Sequence, residues 1–170
     1  MIFTIQWKDE LGGEMKIGVA CDHAGFLLKD TILEAIIQNG HSPVDLGTFD
    51  TSRTDYPDYV EKLGTAIQSG EVERGVLMCG SGVGVSIAAN KLHGVYAAVC
   101  HDTYSAHQGV QHDKMNVLCL GARVVGADLA KELVYAFLNA TFLSEERHVR
   151  RTQKIKELEE YGKIVSGVEE

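Results

Sequence analysis

Hydrophobic and polar positions along the chain follow two rhythms. Short apolar runs bounded by glycine or polar residues read as strands, and apolar residues recurring every three to four positions read as helices. The first run, Lys16–Cys21, predicts a strand. Phe26–Gln38 has apolar residues at 26, 27, 28, 32, 33, 36 and 37, one helical stripe stopped by Asn39-Gly40. His41–Leu46 predicts a second strand, Gly47–Asp58 a polar loop, and Tyr59–Gln68 a second helix closed by Ser69-Gly70. Val76–Met78 predicts a third strand and Val85–Asn90 the opening turns of a helix. Val95–Cys100 predicts the fourth strand, Thr103–Gln111 a helix, Asn116–Leu120 the fifth strand, and Ala127–Leu138 a helix with an apolar face. Glu145–Tyr161 predicts a last, highly charged helix, with 162–170 as a frayed tail.

Strands and helices thus alternate five times. That pattern predicts an α/β fold: a Rossmann-like three-layer domain over 15–161, with a five-stranded parallel sheet, helices on both faces and right-handed crossovers. Residues 1–14 do not join the pattern, and Met15 directly precedes the first strand, so they read as a leader or N-terminal extension. Ligands bind such sheets beyond the carboxyl ends of the strands. Asp22-His23, the loop after Leu46, Cys79-Gly80-Ser81-Gly82 and His101-Asp102 stand at those ends and are expected to face one crevice.

Composition narrows the function classes. At 170 residues, with 45% hydrophobic and 24% charged residues, the chain reads as one ordinary globular domain. A formal net charge of −8 argues against a nucleic acid or an anionic membrane as a general partner. No hydrophobic run approaches the roughly 18 residues of a membrane span, and nothing near the start reads as a signal peptide. The four cysteines, Cys21, Cys79, Cys100 and Cys119, form no CxxC and no zinc-like spacing with histidine. The expectation is a reduced, cytoplasmic protein.

Candidate chemistry concentrates between Gly75 and Lys91. A strand ends at Cys79, glycines follow at 80, 82 and 84, and a helix begins. This arrangement gathers backbone N–H groups and a helix N-terminus around one point, a place for an anion, and a thiolate is favoured beside such a terminus. Cys79 is therefore a candidate base or nucleophile; the competing reading is a small buried hydrophobe in a tight turn. Asp22 and His23 stand at the end of the first strand, where Asp22 alternatively caps the next helix. His112 lies between a polar helix and a strand. Arg147 and Arg151, four apart, share a helix face and suit phosphate oxygens, although the glutamates around them also fit a solvated charged face. Gly80-x-Gly82-x-Gly84 followed by Asp102 loosely imitates a dinucleotide fingerprint, but the spacing is GxGxG and a cysteine stands at the strand end. The absence of GK[ST] excludes a P-loop.

Five segments recur together and in order: Cys-Asp-His-Ala-Gly-Phe (21–26), Arg-Thr-Asp-Tyr-Pro (53–57), Cys-Gly-Ser-Gly-Val-Gly-Val-Ser-Ile-Ala-Ala-Asn-Lys (79–91), Asn-Val-Leu (116–118) and Gly-Ala-Arg-Val-Val-Gly (121–126). In these the chain resembles the ribose-5-phosphate isomerase B family, which also holds allose-6-phosphate and galactose-6-phosphate isomerases. The resemblance implies a metal-free aldose–ketose isomerase working through a cis-enediolate, on ribose 5-phosphate or alternatively a six-carbon sugar phosphate. A non-catalytic sugar-phosphate-binding protein is the reading from another class. By position, the resemblance makes Cys79 the base and Ser81, with the N–H groups of Gly82, Val83 and Gly84, the hole for the enediolate oxygen. It makes His112 the ring-opening group, with Asp22 nearby, and His23, Arg123, Arg147 and Arg151 the phosphate clamp. Gly80, Tyr56 and Asp113 join the substrate-binding set. Asp113 departs from the family's usual Asn after the ring-opening histidine, and Ser81 replaces a common Thr. The resemblance also implies a homodimer, in some cases a dimer of dimers, with active sites at the subunit interface.

Overall fold

The computed structural model describes residues 13–166, with the side chains of 162–166 left aside. The leader assigned to 1–14 and the end of the tail assigned to 162–170 therefore lie almost wholly outside the described residues. Among the described residues eleven elements follow in order: β1 (Lys16–Cys21), α1 (Phe26–Gln38), β2 (Ser42–Asp45), α2 (Tyr56–Gln68), β3 (Arg74–Cys79), α3 (Val83–Ala89), β4 (Ala97–Val99), α4 (Thr103–Asp113), β5 (Val117–Gly121), α5 (Ala127–Leu138) and α6 (Glu146–Ser166). All five strands are parallel, in the order β2-β1-β3-β5-β4. This is the α/β sandwich that the alternation predicts.

Alternate strand residues divide the core. Ile17, Val19, Val76, Met78, Leu118 and Leu120 face α1, α4 and α5. Ala20, Leu77, Cys79, Val117 and Cys119 face α2 and α3. The chain reverses direction across the sheet twice, and the helices change face at each reversal, as single-handed crossovers require. Glycine lets α2 approach closely. Gly18 and Gly75 are register partners on β1 and β3, and a Cβ on either would lie within 2.5 Å of Leu63.

Several boundaries differ from those the periodicity predicts. α2 begins at Tyr56, inside the expected loop, because Pro57 is tolerated in a first helical turn, where its missing N–H has no helical partner. β3 extends to Arg74 and Cys79, whereas β4 shrinks to Ala97–Val99 at the sheet edge. α4 continues through His112 and Asp113, and α6 runs to Ser166 rather than Tyr161. The stripe on α1 is also rotated. Leu27 and Ile37 are 86% and 61% exposed, while Leu28, Lys29, Ile32, Ala35 and Ile36 are buried. Lys29 tolerates burial because its Nζ lies 2.8 Å from Asp45 Oδ2, donates to Thr48 O at 2.6 Å, and sits 4.5 Å from the Phe49 ring centroid.

Candidate active site

The carboxyl ends of β1, β3 and β5 adjoin one another, since Cys21 pairs with Met78 and Cys79 with Gly121. The sheet order reverses between β1 and β3, the usual place for a crevice in such sheets. Around this point the structure gathers Asp22, His23, Tyr56, Cys79, Gly80, Ser81, Gly82, Val83, Gly84 and Arg123. Cys79 is buried, and its Sγ accepts a hydrogen bond from Gly82 N at 3.1 Å. Ser81 is exposed and its Oγ accepts from Val83 N at 3.3 Å. Two of the N–H groups expected to face an anion are thus engaged within the loop. Gly84 precedes the first closed helical bond, Ser86 N to Gly82 O, so its N–H lies among the open donors of the turn. α3 has only seven residues, which makes its dipole a smaller contributor than these fixed donors.

The loop has this shape because of its glycines. Gly82 adopts φ +80°, and a Cβ there would lie 3.0 Å from the backbone of Leu120. The Tyr56 ring lies against Gly84, where a Cβ would sit 2.9 Å from Cζ. The Arg123 guanidinium lies over Gly80, 3.6 Å from the position of a Cβ, and Arg123 N donates to Gly80 O at 3.0 Å. An arginine thus overlooks the turn after Cys79.

Asp22 Oδ1 accepts from Ala24 N at 2.9 Å and Gly25 N at 3.0 Å, shaping the turn into α1. The alternative capping role does not hold: Gly25 is the N-cap of α1 and carries no side-chain cap bond, so Asp22 shapes the turn that precedes the helix. His23 Nδ1 accepts from Thr54 N at 3.3 Å, which places the ring proton on Nε2 and links β1 to the Arg53–Pro57 loop. His101 Nε2 accepts from Gly121 N at 3.1 Å. Asp102 caps α4 by accepting from Ser105 N at 2.7 Å, so the acid of the imitated dinucleotide fingerprint already has a helix terminus to hold. Burial pushes the Cys21 and Cys100 thiols up to about 11 and the Cys119 thiol higher still, keeping all three protonated at neutral pH.

His112, Asp113, Arg147 and Arg151 are not in this group. α4 starts beyond the carboxyl end of β4 and runs back, so His112 lies just before the amino end of β5. The five residues of β5 separate that end from Gly121, the partner of Cys79, by roughly 13 Å. There α6 packs on α4, and the His112 and His148 rings stack with centroids 4.1 Å apart. Arg147 pairs with Glu145 at 2.9 Å, and Arg151 is exposed. Asp113 and Lys114 line a cavity of about 360 Å³ with Val149, Thr152 and Gln153 of α6. Glu159 fastens α6 by accepting from Gly94 N at 2.7 Å.

Sequence reasoning passed over His148 and Gln108, which holds His112 Nδ1 at 2.8 Å. Gln108 stands four residues before His112 on one helix face, a spacing visible in the sequence. His148 had no such signal, since it is a lone histidine within a highly charged helix.

The family model described as Ribose/Galactose Isomerase matches residues 17–155. Ribose-5-phosphate isomerase B of Escherichia coli (strain K12) is 46% identical over 145 residues, 85% of this chain and 97% of that protein. D-erythrulose-4-phosphate isomerase of Pectobacterium atrosepticum is 42% identical over 129 residues, 75% of this chain and 85% of that protein. The structure of Clostridium thermocellum ribose-5-phosphate isomerase B superposes with a TM-score of 0.83 at 44% identity, covering 86% of this chain and 99% of that one. The chain belongs to the ribose/galactose isomerase family, and it is an isomerase.

Proposed function

We propose that this member of the family interconverts D-ribose 5-phosphate and D-ribulose 5-phosphate through a cis-enediolate, without a metal or cofactor. The observation that carries the reading is the turn after β3. Cys79 stands there at a strand end, with a backbone N–H on its sulfur, the Ser81 hydroxyl nearby and Arg123 over Gly80. Cys79 takes the proton from C2 of the open-chain aldose, and the electron pair moves to the C1 oxygen. Reprotonation at C1, with the O2 proton passing to O1, leaves the ketose. Ser81 and the open Gly84 N–H stabilise the enediolate oxygen, where charge develops, and Gly82 and Val83 hold the turn around it. His112 opens the furanose ring, Asp22 and Tyr56 hold sugar hydroxyls, and His23, Arg123, Arg147 and Arg151 bind the phosphate. Asp113 acts on sugar choice, because an ionised carboxylate accepts hydrogen bonds where the family's Asn also donates.

One chain keeps Cys79 and His112 at opposite ends of the sheet, so the complete site is formed between two copies. A two-fold axis brings the α4–α6 corner of one protomer to the Cys79 turn of its partner. Exposed apolar residues at both places support this: Val83 and Ile87 on α3, and Ile155 and Leu158 on α6. Four free, buried cysteines suit a reducing, cytoplasmic setting. No helix among the described residues is long and apolar enough to cross a membrane.

Turnover of ribose 5-phosphate in excess chelator tests the reading directly. Rapid formation of ribulose 5-phosphate supports it. Comparing kcat/KM with allose 6-phosphate and D-erythrulose 4-phosphate decides chain length; a preference for either overturns the pentose assignment and points to Asp113.

A further inference from the structure

His148 occupies an unfavourable position for an imidazole. Its ring is 2% exposed, yet neither Nδ1 nor Nε2 has a hydrogen-bond partner among the described residues. Its nearest carboxylate oxygen, Glu145 Oε2, is 4.0 Å from Nε2. A buried polar group without partners is destabilising, and an apolar ring fills such a space without that penalty. What the ring does contact is His112, stacked at 4.1 Å between centroids with 25° between planes.

His112 is restrained from a second direction. Gln108 Nε2 lies 2.8 Å from its Nδ1. Donation by the amide makes Nδ1 the acceptor and leaves the proton on Nε2. One contact therefore selects the nitrogen that bears the proton, and the other fixes the plane of the ring. We infer that His148 is a positioning residue, a flat stop behind His112 that, with Gln108, presents Nε2–H to the ring oxygen of a cyclic sugar phosphate. The inference rests on the proposed ring-opening role of His112.

The charges around His148 are consistent with that part. Burial, His112 on α4, and Arg147 and Arg151 on its own helix all disfavour a proton on His148, and only Glu145 opposes them. A neutral ring stacks against His112 in either protonation state, whereas an imidazolium repels it once His112 is charged.

Ribulose 5-phosphate separates ring opening from proton transfer. Its O5 is esterified, so it closes no five-membered ring and stays open. Exchange of its C1 hydrogen with solvent deuterium breaks and remakes one C–H bond through the enediolate alone. His148→Ala is expected to slow aldose-to-ketose turnover by about tenfold to a hundredfold, a typical cost of misplacing a catalytic group, while exchange into the ketose stays within about twofold. His148→Phe keeps a flat ring and is expected to restore turnover to within about threefold, even if the alanine variant is less stable. Equal loss of turnover and exchange in both variants, or unchanged turnover in His148→Ala, overturns the inference. A phenylalanine variant as slow as the alanine one also overturns it, since the ring nitrogens and not the stack are then required. Wild-type protein that exchanges but does not isomerise ribose 5-phosphate refutes the ring-opening premise, and wild type that does neither refutes the isomerase reading itself.

Discussion

The two ends of the sheet are built in opposite ways. At the carboxyl end the candidate groups are set by backbone: Cys79 closes a central strand, Gly82 turns at positive φ, and Gly80 and Gly84 admit Arg123 and Tyr56. At the amino end they ride on the surface of α4 and α6, where Arg147, Arg151 and Asp113 are exposed and Arg147 pairs with Glu145. The difference teaches that a chain can prepare its chemistry and its reach separately. The Cys79 turn, to which the proposed function gives proton transfer, has its geometry fixed relative to the sheet. Under the proposed function, His112, Arg147 and Arg151 serve the Cys79 turn of a second copy, and their place on the α4–α6 surface suits that reach.

The largest expected effect breaks the carboxyl end. Cys79→Ala is expected to lower kcat by a thousandfold or more, on the order of a general base contribution, while calorimetry still detects ribose 5-phosphate binding. Next comes a mixture of the two ends. Co-expressed Cys79→Ala and His112→Ala chains, each inactive alone, are expected to recover about a quarter of wild-type activity, because half of the dimers carry one intact site. No recovery in purified heterodimer would mean that both groups act from one chain.

The strands and helices were largely legible before the fold was known. The apolar runs place β1, α1 and α5 to the residue. Where reading failed, tertiary contact outweighed local pattern. Lys29 is buried because Asp45 and the Thr48 carbonyl, brought in by β2, pair with it, and no local rhythm shows that. The glycine turn advertised its site by composition. The separation of His112 from Cys79 was available in principle, since a helix between parallel strands runs against them, but motif order alone conceals it. His148 was illegible because its meaning lies in a stack between α6 and α4.

A smaller effect sharpens the amino end. Arg147→Ala is expected to raise KM about tenfold with kcat within about twofold, because phosphate contacts are shared by ground and transition states. A fall in kcat at unchanged KM would place Arg147 in the chemical step. The smallest effect is on stability. Burial and nearby cationic groups hold His41 and His148 below their ordinary pKa of 6.5. The unfolded chain therefore binds protons that the folded one refuses, so stability present at neutral pH is lost as pH falls below about 6.5. A drop of a few degrees in Tm on acidification to about pH 5.5 is expected, and His148→Phe should reduce it in calorimetric scans.

The strand order also sets how much chain the complete sheet requires. β4 pairs with β5 and with no other described strand, and β5 covers the edge of β3. A nascent chain that has not yet delivered Val117–Gly121 holds a half-sheet of β2, β1 and β3 with one bare apolar edge, and Ala97–Val99 waiting without a partner. Such edges invite pairing with other chains. The sheet is therefore closed only by its last strand in sequence, which lies between β3 and β4 and joins β4 to the rest.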